Sequence, residues 1–187
     1  MKIWRDTKLP EIIVIEPSVF NDERGYFLET YQSIRYKEYG IESIFVQDNL
    51  SFSRRGVLRG LHYQHPHDQA KLVQVINGEI IDVAVDIRKD SKSFGQWTSV
   101  VLSEKNKRQI YIPAGFAHGF CVLSESAYVL YKCSDYYSPE SEGGIIWSDP
   151  DLSIEWGIDE PILSEKDTSY PRLKDIPSKR LPQISAC

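Results

Sequence analysis

An alternation of side chains at residues 80–87 constrains the fold of this chain more than any other feature. Apolar residues take the odd positions, while Asp82, Ala84 and Asp86 take even ones. This is the period of a β-strand with one buried face. Further short β-rich runs, separated by turn residues, occur at 12–15, 26–31, 72–76, 98–102, 109–112 and 127–131. Because no ladder of 10–15-residue helices separates them, the pattern favours an all-β sandwich or barrel, of which a jelly roll is one form.

Three local features refine this prediction. Asn77-Gly78 separates two of the runs and predicts a hairpin between them. A short helix is predicted at 33–39, capped by Ser33 and ended by Gly40. From about residue 134 onward prolines recur at short intervals, which indicates an extended, partly helical segment laid over the barrel. Residues 1–187 are therefore expected to form one domain.

The charge balance and the cysteines restrict the class of protein. The chain carries 22 basic and 27 acidic residues, a formal net charge of -5, so no nucleic-acid partner is expected. No apolar run reaches the roughly 20 residues of a membrane span, and residues 1–6 lack the apolar core of a signal peptide. Cys121, Cys133 and Cys187 form no CxxC pair. They are expected to be reduced thiols, which favours a cytoplasmic protein.

The arginine-rich segment 54–65 contains the first candidate site residues. Arg59 and His62 are three positions apart, so they would face opposite sides of a regular strand. A bulge at Gly60 would bring them together. Arginine binds phosphate oxygens through two parallel hydrogen bonds, which makes this segment a candidate anion site. Taken alone, the same residues also fit a solvated loop whose arginines pair with surface carboxylates.

Residues 113–118, with the sequence PAGFAH, resemble the second conserved motif of cupin proteins. The first cupin motif needs a glycine, five residues, then HxH and a later glutamate. Gly56 and His62 have that spacing, but Gln64 stands in place of the second histidine and no glutamate occurs before Glu79. A catalytic metal ion needs three or four converging ligands. The sequence therefore suggests a cupin-type scaffold without a metal site.

Three further side chains have chemistry suited to the mouth of a barrel. A free imidazole at His62 is suited to general acid–base catalysis near neutral pH. Lys71 is suited to stabilising an oxyanion, and Tyr131 to donating a proton. The alternatives are a core histidine bonded to a backbone carbonyl, a lysine in solvent at a strand end, and a tyrosine that only packs. The residues by themselves leave these alternatives open.

Several of these segments, taken in order, resemble the dTDP-4-dehydrorhamnose 3,5-epimerase family. The most specific is GVLRGLHYQ at 56–64. The others are DERGYF at 22–27, QDNLS at 47–51, AKLV at 70–73, PAGFAHGF at 113–120, YK at 131–132, YY at 136–137 and LSEKD at 163–167. The resemblance implies a cupin-type jelly-roll barrel with a few short helices, a homodimer and a reaction without a cofactor. It also implies dTDP-4-dehydro-6-deoxyglucose as the substrate, inverted at C3 and C5 through C4 enolates on the route to activated rhamnose.

The resemblance also implies roles for individual residues. His62 would be the base, oriented by Asp167. Lys71 would hold the C4 oxyanion, and Tyr131 would deliver a proton from the far face of the sugar. The implied substrate-binding residues are Arg24, Glu29, Gln47, Asp48, Asn49, Arg59, His118, Glu142 and Lys166. In the family, some nucleotide contacts come from the dimer partner through exchanged N-terminal strands, and we expect the same here.

Other functions stay open at this point. Relatives that resemble this family epimerise only C5 or only C3. A 3,4-ketoisomerase is less consistent with the GVLRGLHYQ segment. A metal-dependent cupin, such as a dioxygenase, would hold nearly one tightly bound metal ion per chain. A non-catalytic nucleotide-sugar binding module would bind dTDP-sugars without exchanging their protons.

Overall fold

Strands are the main regular elements of the computed structural model, which describes residues 1–184. The strands of this part of the chain are β1 Lys2–Arg5, β2 Ile13–Glu16, β3 Val19–Asp22, β4 Gly25–Leu28, β5 Gln47–Arg54, β6 Leu58–Gln64, β7 Lys71–Asn77, β8 Glu79–Asp86, β9 Trp97–Ser103, β10 Gln109–Ile112, β11 Phe116–Val122, β12 Ser126–Cys133 and β13 Glu142–Gly144. The helices are α1 Ser33–Glu38 and α2 Glu165–Ser169, with single 3-10 turns at Pro139–Ser141, Leu173–Asp175 and Ser178–Arg180.

Two antiparallel sheets build the fold. One has six strands in the order β1-β2-β10-β7-β12-β5, and the other has five in the order β13-β6-β11-β8-β9. β3 and β4 form a separate hairpin. Most neighbouring strands are distant in the sequence, because the chain crosses repeatedly between the sheets, as in a jelly roll. The predicted all-β jelly roll with a few short helices is confirmed.

The main core lies between the two sheets. Val73 and Val129 from the six-stranded sheet meet Ile80 and Phe120 from the five-stranded sheet in one buried cluster. Burying one such side chain contributes about 1.5–3 kcal/mol, so this cluster contributes strongly to the stability of the fold. Tyr131 packs against its edge, so the apolar core ends where the polar pocket described below begins.

A second apolar layer covers the outer face of the five-stranded sheet. Ile145 and Trp156 from the C-terminal third of the chain pack in one cluster with Val85 of β8. Because of this cover, β8 is buried on its outer face as well as on its inner face, where Asp82 and Ala84 are 0% exposed. The expectation that only one face of this strand is buried is therefore wrong. Asp82 points into the barrel, where it bonds to a histidine of the pocket described below.

The Asn77-Gly78 pair carries the chain from one sheet to the other and does not close a hairpin. β7 pairs with β10 and β12, whereas β8 pairs with β11 and β9, so the hairpin prediction is wrong. Gly78 has a φ of +87°, and a Cβ there would lie 2.0 Å from the carbonyl oxygen of Ser126. The turn residues thus indicated the reversal correctly. They carry no information about which strand becomes the neighbour.

The predicted short helix is present as α1, but its cap differs from the expectation. The N-cap is Gln32 rather than Ser33, and Gln32 Oε1 accepts a hydrogen bond from the backbone N–H of Arg35 at 2.6 Å. The longer glutamine side chain reaches the amide that a serine cap would otherwise satisfy. Beyond the helix, Gly40 has a φ of +86°, as expected for a residue that ends a helix.

Neither α-helix within residues 1–184 is long and apolar enough to cross a membrane. They have six and five residues, whereas a span needs about 20. Cys121 and Cys133 are buried free thiols. Cys187 lies outside the described residues.

Candidate active site

A bulge in β6 brings Arg59 and His62 to the same cavity. In the register between β6 and β11, His62 is the partner of His118 and Arg59 is the partner of Phe120. Three residue steps along β6 therefore correspond to only two along β11. Gly60 lies inside this irregularity with a φ of +123°, and a Cβ there would meet the Cα of Gly119 at 2.6 Å. The bulge suggested by the sequence is therefore present, and both side chains line the same cavities.

His62 is held by a carboxylate from the C-terminal segment. Its Nε2 lies 2.5 Å from Oδ1 of Asp167, which is buried. The hydroxyl of Ser164, the N-cap of α2, donates to the other carboxylate oxygen at 2.8 Å. Burial alone would raise the pKa of Asp167, but the hydrogen bond and charge of His62, together with Ser164, hold it below its usual value. Asp167 is therefore ionised at neutral pH and holds the imidazole by its Nε2 atom.

Lys71 and Tyr131 face His62 from the opposite sheet. Tyr131 on β12 pairs with Val73 on β7, two residues beyond Lys71, so the two side chains are neighbours on one face. Burial raises the pKa of the Tyr131 phenol, so the phenol keeps its proton. Burial lowers the pKa of the Lys71 ammonium, and this shift is opposed by nearby acidic groups that include Asp82. The arrangement is suited to proton transfer across the pocket.

A second histidine–carboxylate pair lies in the barrel beside this site. Nε2 of His118 is 2.8 Å from Oδ2 of Asp82, and both residues are buried. His118 lines one cavity together with His62, Lys71 and Tyr131. The even positions of β8, which the sequence presented as a polar face, thus supply the carboxylate that fixes a pocket histidine.

The remaining pocket residues form a polar rim. Gln47 Nε2 donates to Asn49 Oδ1 at 3.0 Å. Glu142 pairs with Lys166 and accepts a hydrogen bond from the Tyr137 hydroxyl at 2.9 Å. Burial alone would raise the pKa of Glu142, but these two hydrogen bonds hold it below its usual value. The rim therefore carries both signs of charge, together with amide donors and acceptors.

Three adjoining cavities, of about 230, 330 and 150 Å³, are each lined by His62. Together, their linings include most of the site residues that the sequence predicted. Those residues are His62, Lys71, Tyr131, Asp167, Gln47, Asn49, Arg59, His118, Glu142 and Lys166. Together the cavities have room for a sugar and part of a nucleotide.

Three predicted binding residues do not line these cavities. Asp48 lies between two pocket residues on β5, so strand alternation turns it to the other face, where it pairs with Lys132 at 2.9 Å. Arg24 sits at the turn of the β3–β4 hairpin and pairs with Asp22 at 2.5 Å. Glu29 follows the same hairpin and pairs with Arg35. Their own chain does not bring these three side chains to the pocket.

The pocket also contains residues that the sequence analysis did not select. Ser51 and Cys133 line it because each lies two positions beyond a predicted site residue on the same strand. This spacing of two residues along a strand is the sequence signal that could have identified both of them. Tyr137 lines the pocket from the loop after β12, and its backbone N–H donates to Gln47 Oε1 at 3.0 Å. Its only signal was its place in a family-like segment.

Gln64 occupies the position where metal-binding cupins have their second histidine. Its amide nitrogen donates to the carbonyl of His67 at 2.9 Å, and its oxygen accepts from the backbone N–H of Ser138 at 2.9 Å. This side chain therefore ties two loops together. Within residues 1–184, no group of three His, Cys, Asp or Glu side chains is arranged to hold a metal ion.

A jelly roll with a histidine–carboxylate pair facing a lysine and a tyrosine defines a protein of the cupin fold whose pocket is suited to acid–base chemistry. Comparison with known families narrows this class. The family model described as dTDP-4-dehydrorhamnose 3,5-epimerase matches residues 6–175. The chain belongs to this family, which confirms the resemblance found in the sequence.

Individual relatives agree with this membership. A dTDP-4-dehydrorhamnose 3,5-epimerase from Methanothermobacter thermautotrophicus is 53% identical over 174 residues, covering 91% of this chain and 94% of the relative. A dTDP-6-deoxy-D-glucose-3,5-epimerase from Legionella pneumophila, solved in complex with dTDP-4-keto-L-rhamnose, is 51% identical with a TM-score of 0.96 and 99% coverage of both chains. A 3′-monoepimerase from Streptomyces bikiniensis, in complex with dTDP-quinovose, is 32% identical with a TM-score of 0.88, covering 96% of this chain and 92% of that chain.

Proposed function

We propose that this chain inverts C3 and C5 of dTDP-4-dehydro-6-deoxy-D-glucose to give dTDP-4-dehydro-L-rhamnose, a step of dTDP-L-rhamnose biosynthesis. The observation that carries this proposal is that His62 and Tyr131 project from opposite sheets into the same cavities. Inversion of a carbon needs a base on one face of the sugar ring and an acid on the other. Family membership and the ligand of the Legionella structure support the same substrate class.

His62 is the proposed base. The C4 ketone acidifies the C–H bonds at C3 and C5, and the neutral imidazole removes one of these protons to leave an enolate. Asp167 is bonded to Nε2, which leaves Nδ1 as the nitrogen that takes the proton. Because the pKa of Asp167 is held low, its negative charge stabilises the imidazolium that forms.

Lys71 and Tyr131 complete the proposed cycle. The Lys71 ammonium stabilises the C4 oxyanion of the enolate, and its burial makes this interaction stronger than it would be in water. The Tyr131 phenol then gives its proton to the carbon from the face opposite His62. Its raised pKa keeps the phenol protonated until the enolate forms. Exchange with solvent returns both groups to their starting states.

The nucleotide part of the substrate would occupy the polar rim. Arg59 and Lys166 are suited to the diphosphate, while Gln47 and Asn49 offer amides to the base or the sugar. Tyr137 is 54% exposed, so its ring is available for stacking on the base. The net charge of -5 does not oppose such a ligand, because only the pocket needs to be positive.

The site is proposed to be complete only in a homodimer. The β3–β4 hairpin that carries Arg24 also presents Phe20 and Phe27, which are 64% and 70% exposed. Exposed apolar patches of this kind mark interaction surfaces. A second copy of the chain seated there would bring Arg24 and Glu29 towards its partner's pocket, as the family resemblance implies. Asp48, on the outer face of β5, would act at the same interface.

The proposed location is the cytoplasm. The buried free thiols Cys121 and Cys133 support a reducing compartment, where disulfides are rare. No nucleic-acid or membrane partner is proposed for this chain.

Turnover should be independent of a divalent metal ion, because Gln64 replaces a ligand that the metal-binding cupins need. We expect dialysis against EDTA to leave kcat unchanged. Elemental analysis of the purified protein should find less than one equivalent of iron, zinc or manganese. Loss of turnover on dialysis, restored by one of these metals, would instead support a metal-dependent cupin.

The proposed function is tested by incubating the protein with dTDP-4-dehydro-6-deoxy-D-glucose in heavy water. Proton NMR should show deuterium and inverted configuration at both C3 and C5, because each centre is deprotonated on one face and reprotonated on the other. If the substrate binds and neither carbon exchanges, the chain is a binding module and the proposed function is wrong.

Inversion at one carbon alone is a second candidate function, favoured by the structural similarity to the Streptomyces 3′-monoepimerase. The same experiment separates the two, since deuterium and inversion would then appear at C3 or at C5 but not at both.

A further inference from the structure

Besides Asp167, the C-terminal segment places one more side chain against the base. Tyr170 directly follows α2 as its C-cap residue. Its ring centroid lies 5.8 Å from that of His62, with an interplanar angle of 69°, an edge-to-face contact. One short segment therefore supplies both the hydrogen bond and an aromatic contact to the same imidazole.

The neighbouring strand makes room for this ring. Gly144 on β13 is the register partner of His62 on β6. A Cβ at Gly144 would lie 2.4–2.5 Å from three atoms of the Tyr170 ring, which is far closer than carbon atoms can approach. Gly144 lies in a strand rather than in a left-handed turn, so its backbone conformation does not call for glycine. Glycine is required here because the Tyr170 ring occupies the space that a side chain at this position would need.

The phenol of Tyr170 carries no charge near neutral pH. Burial, reinforced by the charge of Glu142, raises its pKa to about 12. A neutral phenol cannot stabilise the imidazolium as Asp167 does. What Tyr170 offers His62 is therefore the flat apolar surface of its ring.

We propose that Tyr170 is a positioning residue for His62, which acts by fixing the plane of the imidazole. This inference rests on the role of His62 as the base in the proposed function. A single hydrogen bond, from Nε2 to Asp167, leaves the ring free to turn about that bond. The edge-to-face contact with Tyr170 removes this freedom, and Nδ1 then points in one direction. Proton abstraction needs such alignment, since small misplacements of reacting groups slow a reaction strongly.

The test measures the rate of deuterium exchange into the sugar, together with kcat and KM, in four variants. Tyr170→Phe keeps the ring and should behave like the unchanged protein. Tyr170→Ala should lower kcat and the exchange rate about tenfold at constant KM, because an edge-to-face pair is worth up to roughly that factor. Gly144→Ala should cause a similar loss by displacing the ring. In the double variant Gly144→Ala/Tyr170→Ala the losses should not add, since the ring that Gly144 accommodates is gone.

Three results would overturn the inference. Tyr170→Ala could retain the exchange rate of the unchanged protein, Tyr170→Phe could lose as much as Tyr170→Ala, or the two losses could add in the double variant. Binding of dTDP by each variant verifies that the pocket is folded. If the unchanged protein itself shows no exchange, the proposed function fails instead, so the two failures are distinguishable.

Discussion

His62→Ala should lose nearly all turnover and still bind dTDP. General acid–base catalysis by a positioned side chain contributes about 10²–10⁴-fold, so kcat should fall by a factor in that range. The nucleotide would be held by Arg59 and the polar rim, which do not depend on the imidazole. Isothermal titration with dTDP should therefore give an affinity close to that of the unchanged protein, while a coupled assay shows almost no product.

The matched control for this variant is His65→Ala. His65 also pairs with a carboxylate, Asp68, with 3.0 Å between Nδ1 and Oδ2, but it does not line the cavities around His62. This control should keep its turnover. His62→Gln, which retains a polar side chain of similar length, should be as inactive as His62→Ala. Near-normal turnover in either His62 variant would show that another group is the base.

The sequence predicted the strands and most of the pocket because their signals are local. The alternation in β8, the GVLRGLHYQ segment and the glycine at the bulge are all visible within a few residues. The hairpin at Asn77-Gly78 failed because pairing is decided by the sheet that each strand joins, and turn residues do not encode that choice. In the same way, the burial of the outer face of β8 at Val85 depends on a C-terminal layer that lies far from it in the sequence.

The candidate site residues likewise fall into two groups, those that a local sequence pattern predicts and those that only the fold brings together. His62 and Asp167 are 105 positions apart, so no spacing rule joins them, and only the family resemblance did so before the structure. Residues that share a strand face with a predicted site residue, such as Ser51 and Cys133, follow from the period of two. Neither the family resemblance nor the period of two points to Tyr170. Its contact with His62 depends on the absence of a side chain at Gly144.

Tyr131→Phe should separate proton removal from inversion. With His62 and Lys71 intact, the enolate can still form, and the protonated His62 can return a deuteron to the face from which it took the proton. In heavy water we therefore expect deuterium in the sugar with retained configuration. Inversion, which needs a proton from the opposite sheet, should fall by about 10²–10⁴-fold, the range typical of a lost general acid.

Tyr111→Phe is the matched control for removing a buried tyrosine hydroxyl. Tyr111 lies on β10 and its hydroxyl is 2.8 Å from that of Ser43, away from the cavities around His62. It should exchange and invert like the unchanged protein. Equal losses of exchange and inversion in Tyr131→Phe would mean that the phenol binds or orients the sugar and is not the acid. If exchange persists while inversion is lost, the two proton transfers are made from opposite sheets, by His62 on one and by Tyr131 on the other.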